Sequence, residues 1–169
     1  KLELLEAMDV LEDSIDFLIV DTGAGINDNV LYFNLAAQER LVVVTPEPTS
    51  LTDAYALIKV LKLRHGVDKF HILVNMAKNE KSAKDIFVKL YNACDHFLTG
   101  VSLDFVGAVP LDKAVRQAVI DQQPFCSQNP DSEASQAMQR VARNLMRWTP
   151  QDHLDGNIKF FLKKLLFAE

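Results

Sequence analysis

An α/β fold, a mostly parallel sheet with helices on both faces, is predicted by three observations. Short continuous apolar runs recur at residues 16–21 (DFLIVD), 40–45 (RLVVVT), 70–75 (FHILVN) and 103–109 (LDFVGAV), each bounded by turn residues. Runs of this kind suit strands buried on both faces, as in a parallel sheet, better than strands with one wet face. Segments with apolar residues at three-to-four-residue steps lie between them. The resulting alternation of strand and helix is the pattern of right-handed crossovers packed on a sheet.

Taken in order, residues 1–14 (KLELLEAMDVLEDS) read as an acidic amphipathic helix and lack the charged-then-apolar layout of a signal peptide. The strand at 16–21 ends on Asp21 and runs into TGAG, and a helix is expected over 28–37. After the second run, PTSLTD offers Thr49 or Ser50 as an N-cap with Asp53 in the first turn, and Leu51, Tyr55, Ile58, Leu61 and Lys62 share helical spacing. A helix over 82–97 would turn Ile86, Leu90 and Phe97 inward. Another follows VPLD over about 113–121. Residues 126–132 read as a loop, and residues 131–148 as a capped helix whose last turn is rich in arginine, which suits the helix dipole. The segment 149–156 is a polar linker, so the domain is expected to cover 1–148.

The bulk properties narrow the function classes. With 169 residues, 49% apolar and 24% charged, the chain can bury a sizeable core. A net charge of −5 and no basic stripe before residue 150 argue against direct nucleic-acid binding. Cys94 and Cys126 lie outside any CxxC spacing, so neither a disulfide framework nor a zinc site is expected, and a reducing cytoplasm is the default. His65, His71, His96 and His153 fall at no metal-ligand spacing and are read as solvated or structural. No apolar run approaches the roughly 18 residues a membrane span needs.

Asp21 is the first candidate site residue, because ligands of open α/β sheets bind beyond the carboxyl ends of the strands. Glycines at 23 and 25 would let the backbone approach a phosphate closely. The residues alone leave a second reading open, in which Asp21 caps the helix of 28–37 or opens a glycine-rich turn. The sequence DFLIVDTGAGI resembles the Walker B and switch II segment of the MinD/ParA-type P-loop ATPases, most of all their flagellar-number regulators, the FlhG/FleN branch. Three further segments are similar to that family in order: VVVTPEPTSLTDAYALIKVL (42–61), ILVNMAKNEKSA (72–83) and FVGAVPLDKAVRQAVIDQQPF (105–125).

The resemblance implies a MinD-like fold and residue roles. Asp21 would serve on the Mg²⁺ side, through a water. Thr22, Gly23, Ala24 and Gly25 would form switch II, while Asn75 would read the adenine of ATP or ADP and Pro110, Leu111 and Asp112 would pack around the base. A side-chain amide can match the donor and acceptor edge of adenine. Asn75 also reads as a strand-end turn residue and Pro110 as a strand terminator. The family's Walker A lysine loop needs a glycine-rich turn, and the six glycines here include no G-K-[ST]. That loop would precede Lys1, so the chain is expected to be the C-terminal portion of an ATPase and to be inactive alone. A nucleotide-free docking scaffold of the same fold is the alternative. The nitrogenase iron protein shares the fold but needs cluster-ligating cysteines in segments where Cys94 and Cys126 do not lie.

The final segment, residues 157–169 (NIKFFLKKLLFAE), is the one basic apolar stretch. At 100° per residue Ile158, Phe161, Leu162, Leu165 and Leu166 share an arc of roughly 140°, with Lys159 and Lys163 among the flanking cations. That layout suits a helix lying in an anionic membrane interface, and docking on the domain's own surface is the alternative. Phe160 and Phe167 fall on the lysine side and blur the pattern. The expectation is therefore a cytoplasmic protein, reversibly at the inner face of the membrane. ATP would favour a membrane-bound homodimer and hydrolysis a free monomer. The resemblance implies control of flagellar number and placement through a signal-recognition-type (SRP-type) GTPase, a transcription activator or a switch-complex protein. A MinD-like division-site regulator is the alternative within the family; DNA partitioning is disfavoured by the acidic balance and the tail.

Overall fold

Three of the four apolar runs pair into one parallel sheet of order β1-β2-β3: Leu41–Val44 (β1), Lys69–Ala77 (β2) and Ser102–Pro110 (β3). The computed structural model describes residues 16–148, and these fall into two units, one ending at Arg40 and the other spanning Leu41–Trp148. The terminal helix expected at 1–14, the linker and the amphipathic tail lie outside the described residues.

In the larger unit, each strand is followed by a helix. Pro48–His65 (α2) connects β1 to β2, and Glu80–Phe97 (α3) connects β2 to β3. Lys113–Ile120 (α4), the single turn Phe125–Gln128 (α5) and Glu133–Leu145 (α6) follow. Parallel pairing, Leu41 opposite His71 and Lys69 opposite Ser102, requires such crossovers. Because side chains alternate across a strand, β2 presents Leu73 to Val141 and Ala134 of α6, and its even-numbered neighbours Ile72 and Val74 to the other face. Phe70, Ile72 and Val74 are fully buried, as are Ile58 and Leu61 of α2; Leu90 of α3 is 2% exposed.

The helix ends follow from capping chemistry. Asn79 and Ser82 form a capping box at the start of α3: the Ser82 N–H donates to Asn79 Oδ1 at 2.8 Å and the Asn79 N–H to Ser82 Oγ at 3.1 Å. Gly66 ends α2 in the left-handed region at φ 72°, where its N–H donates to the Leu61 and Lys62 carbonyls. The N-cap of α2 is Glu47, with Pro48 at the first helical position, and not Thr49 or Ser50 as the sequence suggests. Ser50 Oγ instead accepts the Thr45 N–H at 3.0 Å, and proline, with no N–H to satisfy, starts the helix two or three residues early.

Four other expectations change. Residues 16–23 form no strand; Phe17, Leu18 and Ile19 are exposed, Ile19 by 86%. A strand is held by ladder hydrogen bonds from a neighbour, and among the described residues the ladder comprises β1, β2 and β3 alone. In β1 only Val42 and Val44 are buried, while Leu41 and Val43 are exposed, so its continuous apolar run covers one face and not two. The supposed loop at 126–132 contains part of α5, and α6 runs from Glu133 with Ser132 as its cap. Phe97, which helical spacing places inward, is 68% exposed, because α3 ends there and the C-cap residue Leu98 takes the buried place.

Candidate functional site

The carboxyl ends of β2 and β3 bring together the two segments assigned to the base. The ladder breaks after Val74, skips Asn75 and Met76, and resumes with Ala77 opposite Pro110. The Leu111 N–H then donates to the Ala77 carbonyl at 3.0 Å, which extends the pairing one step past the strand end. Asn75, Pro110, Leu111 and Asp112 therefore share one rim of the sheet. Leu111 is 68% exposed there and Pro110 is half-buried.

The bulge has a chemical cause in Asn75. Its Oδ1 accepts the Met76 N–H at 2.9 Å, and Met76 adopts a left-handed φ of 56°. A non-glycine residue in that region costs about 1 kcal/mol, so the position is held by its surroundings. That bond takes one lone pair of Oδ1, and the amide still carries two Nδ2 hydrogens and a second lone pair.

Asp112 is the most constrained of the four. Its Oδ1 accepts the Ala114 N–H at 2.8 Å and caps α4, while its Oδ2 accepts the Ala134 N–H at 3.1 Å in the first turn of α6. These two backbone donors, Ala114 first, hold the carboxyl below its ordinary value of 3.8, because both favour the anion. Both oxygens are thus engaged by backbone, and Asp112 fixes the loop of Pro110 and Leu111 through two helices at once. The bond to Ala134 crosses 22 residues of sequence and no spacing rule points to it.

In the smaller unit, Asp21 and the segment Thr22–Gly25 precede the helix Asp28–Ala36 (α1). Asp21 does not cap that helix: Asn27 does, with its Oδ1 accepting the Val30 N–H at 3.1 Å. The capping alternative for Asp21 is thereby overturned, because an N-cap must sit immediately before the first turn. Asp21 is exposed, Gly25 has φ 107°, and a Cβ at Gly23 or Gly25 would meet no non-neighbouring atom within 4 Å. A lone exposed carboxylate fits Mg²⁺, which keeps most of its waters and takes one or two protein oxygens.

Of the remaining sequence candidates, Ile158, Lys159, Phe161, Leu162, Lys163, Leu165 and Leu166 lie outside the described residues. Among the described residues no cluster of three or more His, Cys, Asp and Glu side chains could hold a metal ion, and no helix is long and apolar enough to cross a membrane. His71 is buried and stacks on Trp148 with ring centroids 3.8 Å apart. Cys94 is buried and Cys126 half-buried, both as free thiols.

Comparison with known proteins places this geometry in context. The ParA family, described as NUBPL iron-transfer P-loop NTPase, matches residues 3–146. The antiactivator FleN of Pseudomonas aeruginosa is 43% identical over 163 residues, covering 96% of this chain and 58% of FleN. The flagellum site-determining protein YlxH of Helicobacter pylori is 27% identical over 95% of this chain and 57% of its own length. The chain thus spans under three-fifths of these curated relatives. Among solved structures, the cell division ATPase MinD of Pyrococcus furiosus superposes with a TM-score of 0.61 at 24% identity, over 86% of this chain and 57% of that one. The septum site-determining protein MinD of Pyrococcus horikoshii, complexed with Mg-ADP, gives 0.62 at 21% identity, over 86% and 56%. At that identity the two structures speak for the fold.

Proposed function

Because this chain belongs to the ParA family of P-loop NTPases, we propose that it is part of an ATPase switch that regulates flagellar number and placement. The observation that carries the reading is the shared rim of Asn75 and the Pro110–Asp112 loop, joined through Ala77 and Leu111. The 43% identity to FleN supports the flagellar branch over the division branch.

In this reading Asn75 orients the adenine and Leu111 with Pro110 covers its face, while Asp112 holds the loop from behind. Asp21 would hold Mg²⁺ through a water, and Gly23 to Gly25 would supply the backbone that senses the terminal phosphate. When bound, Mg-ATP supplies the phosphoanhydride and the charge to which these groups respond. No G-K-[ST] loop occurs in these 169 residues, which span under three-fifths of the relatives, so hydrolysis is proposed for the whole protein. ATP favours a homodimer that exposes the amphipathic tail to the inner face of the membrane, and ADP returns a cytoplasmic monomer.

The test is co-sedimentation of the full-length protein with vesicles rich in phosphatidylglycerol. Sedimentation is expected with ATP and Mg²⁺, not with ADP, and Phe161→Glu should abolish it by placing a carboxylate on the apolar arc. Binding that is equal with and without nucleotide would overturn the switch.

A further inference from the structure

The helices α2 and α3, 18 residues each, leave an open groove of about 520 Å³ between them. Its floor is apolar, formed by Leu51 and Tyr55 of α2 with Leu90 and Phe97 of α3. Tyr55 and Phe97 meet edge to face with centroids 6.5 Å apart. Phe97 is 68% exposed. Aromatic side chains are enriched among the residues that carry binding energy at protein interfaces.

The charge on the groove selects the occupant. The charged side chains that line it, Lys59 and Lys89, are both cations, although the chain as a whole carries −5. Asp53 and Asp85 lie on the same two helices and are exposed, yet do not line it. Two lysines are too few for a lipid surface, which is recognised by clusters of four or more. A groove walled by two helices accepts a third helix, whose apolar stripe enters while its flanks reach the rim.

We propose that the α2–α3 groove docks an acidic amphipathic helix of a partner protein. Its apolar face packs on Tyr55 and Phe97, and its carboxylates lie beside Lys59 and Lys89. The site needs no nucleotide, so it stands or falls separately from the switch.

The experiment places p-benzoylphenylalanine at position 97 of the full-length protein in its native cells, cross-links by light and identifies the attached segment. That segment, made as a synthetic peptide, is then titrated against the purified full-length protein by fluorescence anisotropy. The expected segment is acidic with apolar residues at helical spacing. Lys59→Glu with Lys89→Glu should weaken its binding at least tenfold, and exchanging the peptide's glutamates for lysines should restore binding to that double variant. Both lysines are exposed, so thermal melts of the variants should match the parent. The proposal is overturned by no cross-link, by cross-links to lipid, to a second copy or to residues 1–14 of the same chain, or by peptide binding that ignores the charge reversals.

Discussion

Asp112 shows how one side chain can be visible in the sequence and still have an unexpected job. Its place before a helix marks it as a cap, and its resemblance to a base-packing loop marks it as a site residue. The fold adds a second helix start, Ala134, to the same carboxylate. Replacing it by alanine removes the acceptor for two amides, and an urea titration should show a loss of about 2 kcal/mol. The acid dependence has a definite sign. The folded carboxyl is held below 3.8, so its stabilisation is complete above the ordinary carboxylate range and is lost as pH falls through the depressed value. The stability gap between the parent and Asp112→Asn should therefore narrow as pH is lowered below about 4, a range taken from ordinary carboxylate titration. A gap that widened on acidification would contradict this assignment.

At the level of elements, β3 and α6 are fitted to each other through a bulge. Ile72 pairs with Phe105 but Leu73 pairs with Gly107, so Val106 is the extra residue on β3. Its carbonyl accepts the Asn144 Nδ2–H of α6 at 3.1 Å. Gly107 has φ 154°, and a Cβ there would meet Val141 Cγ2 at 3.1 Å. A methyl at that point requires Val141 to give by a few tenths of an ångström, on the helix whose Ala134 N–H donates to Asp112. Gly107→Ala should destabilise the protein by about 1–3 kcal/mol in denaturant unfolding, the usual range for overpacking. The strand and helix periods were legible here, but the bulge was not. Nothing in LDFVGAV distinguishes a glycine that fills a strand from one that admits a valine.

For the molecule as a whole, Cys94 offers a probe of how the larger unit opens. Burial pushes its thiol up to about 11, so at neutral pH it is both inaccessible and protonated. A thiol reagent should label Cys126 first and Cys94 only at the rate of unfolding, because Cys94 is 1% exposed on the inner face of α3. Rapid labelling of both would mean that α3 detaches locally from the sheet.

Periodicity alone determined the larger part of the architecture: the runs around Val42, Ile72 and Val106 became parallel strands, and Ile58, Leu61, Ile86 and Leu90 became helix residues facing the core. The strand-end rule pointed to Asp21, whereas Asn75 and Pro110 to Asp112 were singled out by the resemblance to the MinD/ParA-type ATPases. Only the tertiary structure decided that these two segments share one rim, that Asp112 is held by two helices, and that Phe97 turns outward onto Tyr55. The run at 16–21 marks the limit from the other side. Its apolar pattern states what the residues can do, but a strand is made by its neighbour's hydrogen bonds, and a one-dimensional pattern does not contain the neighbour.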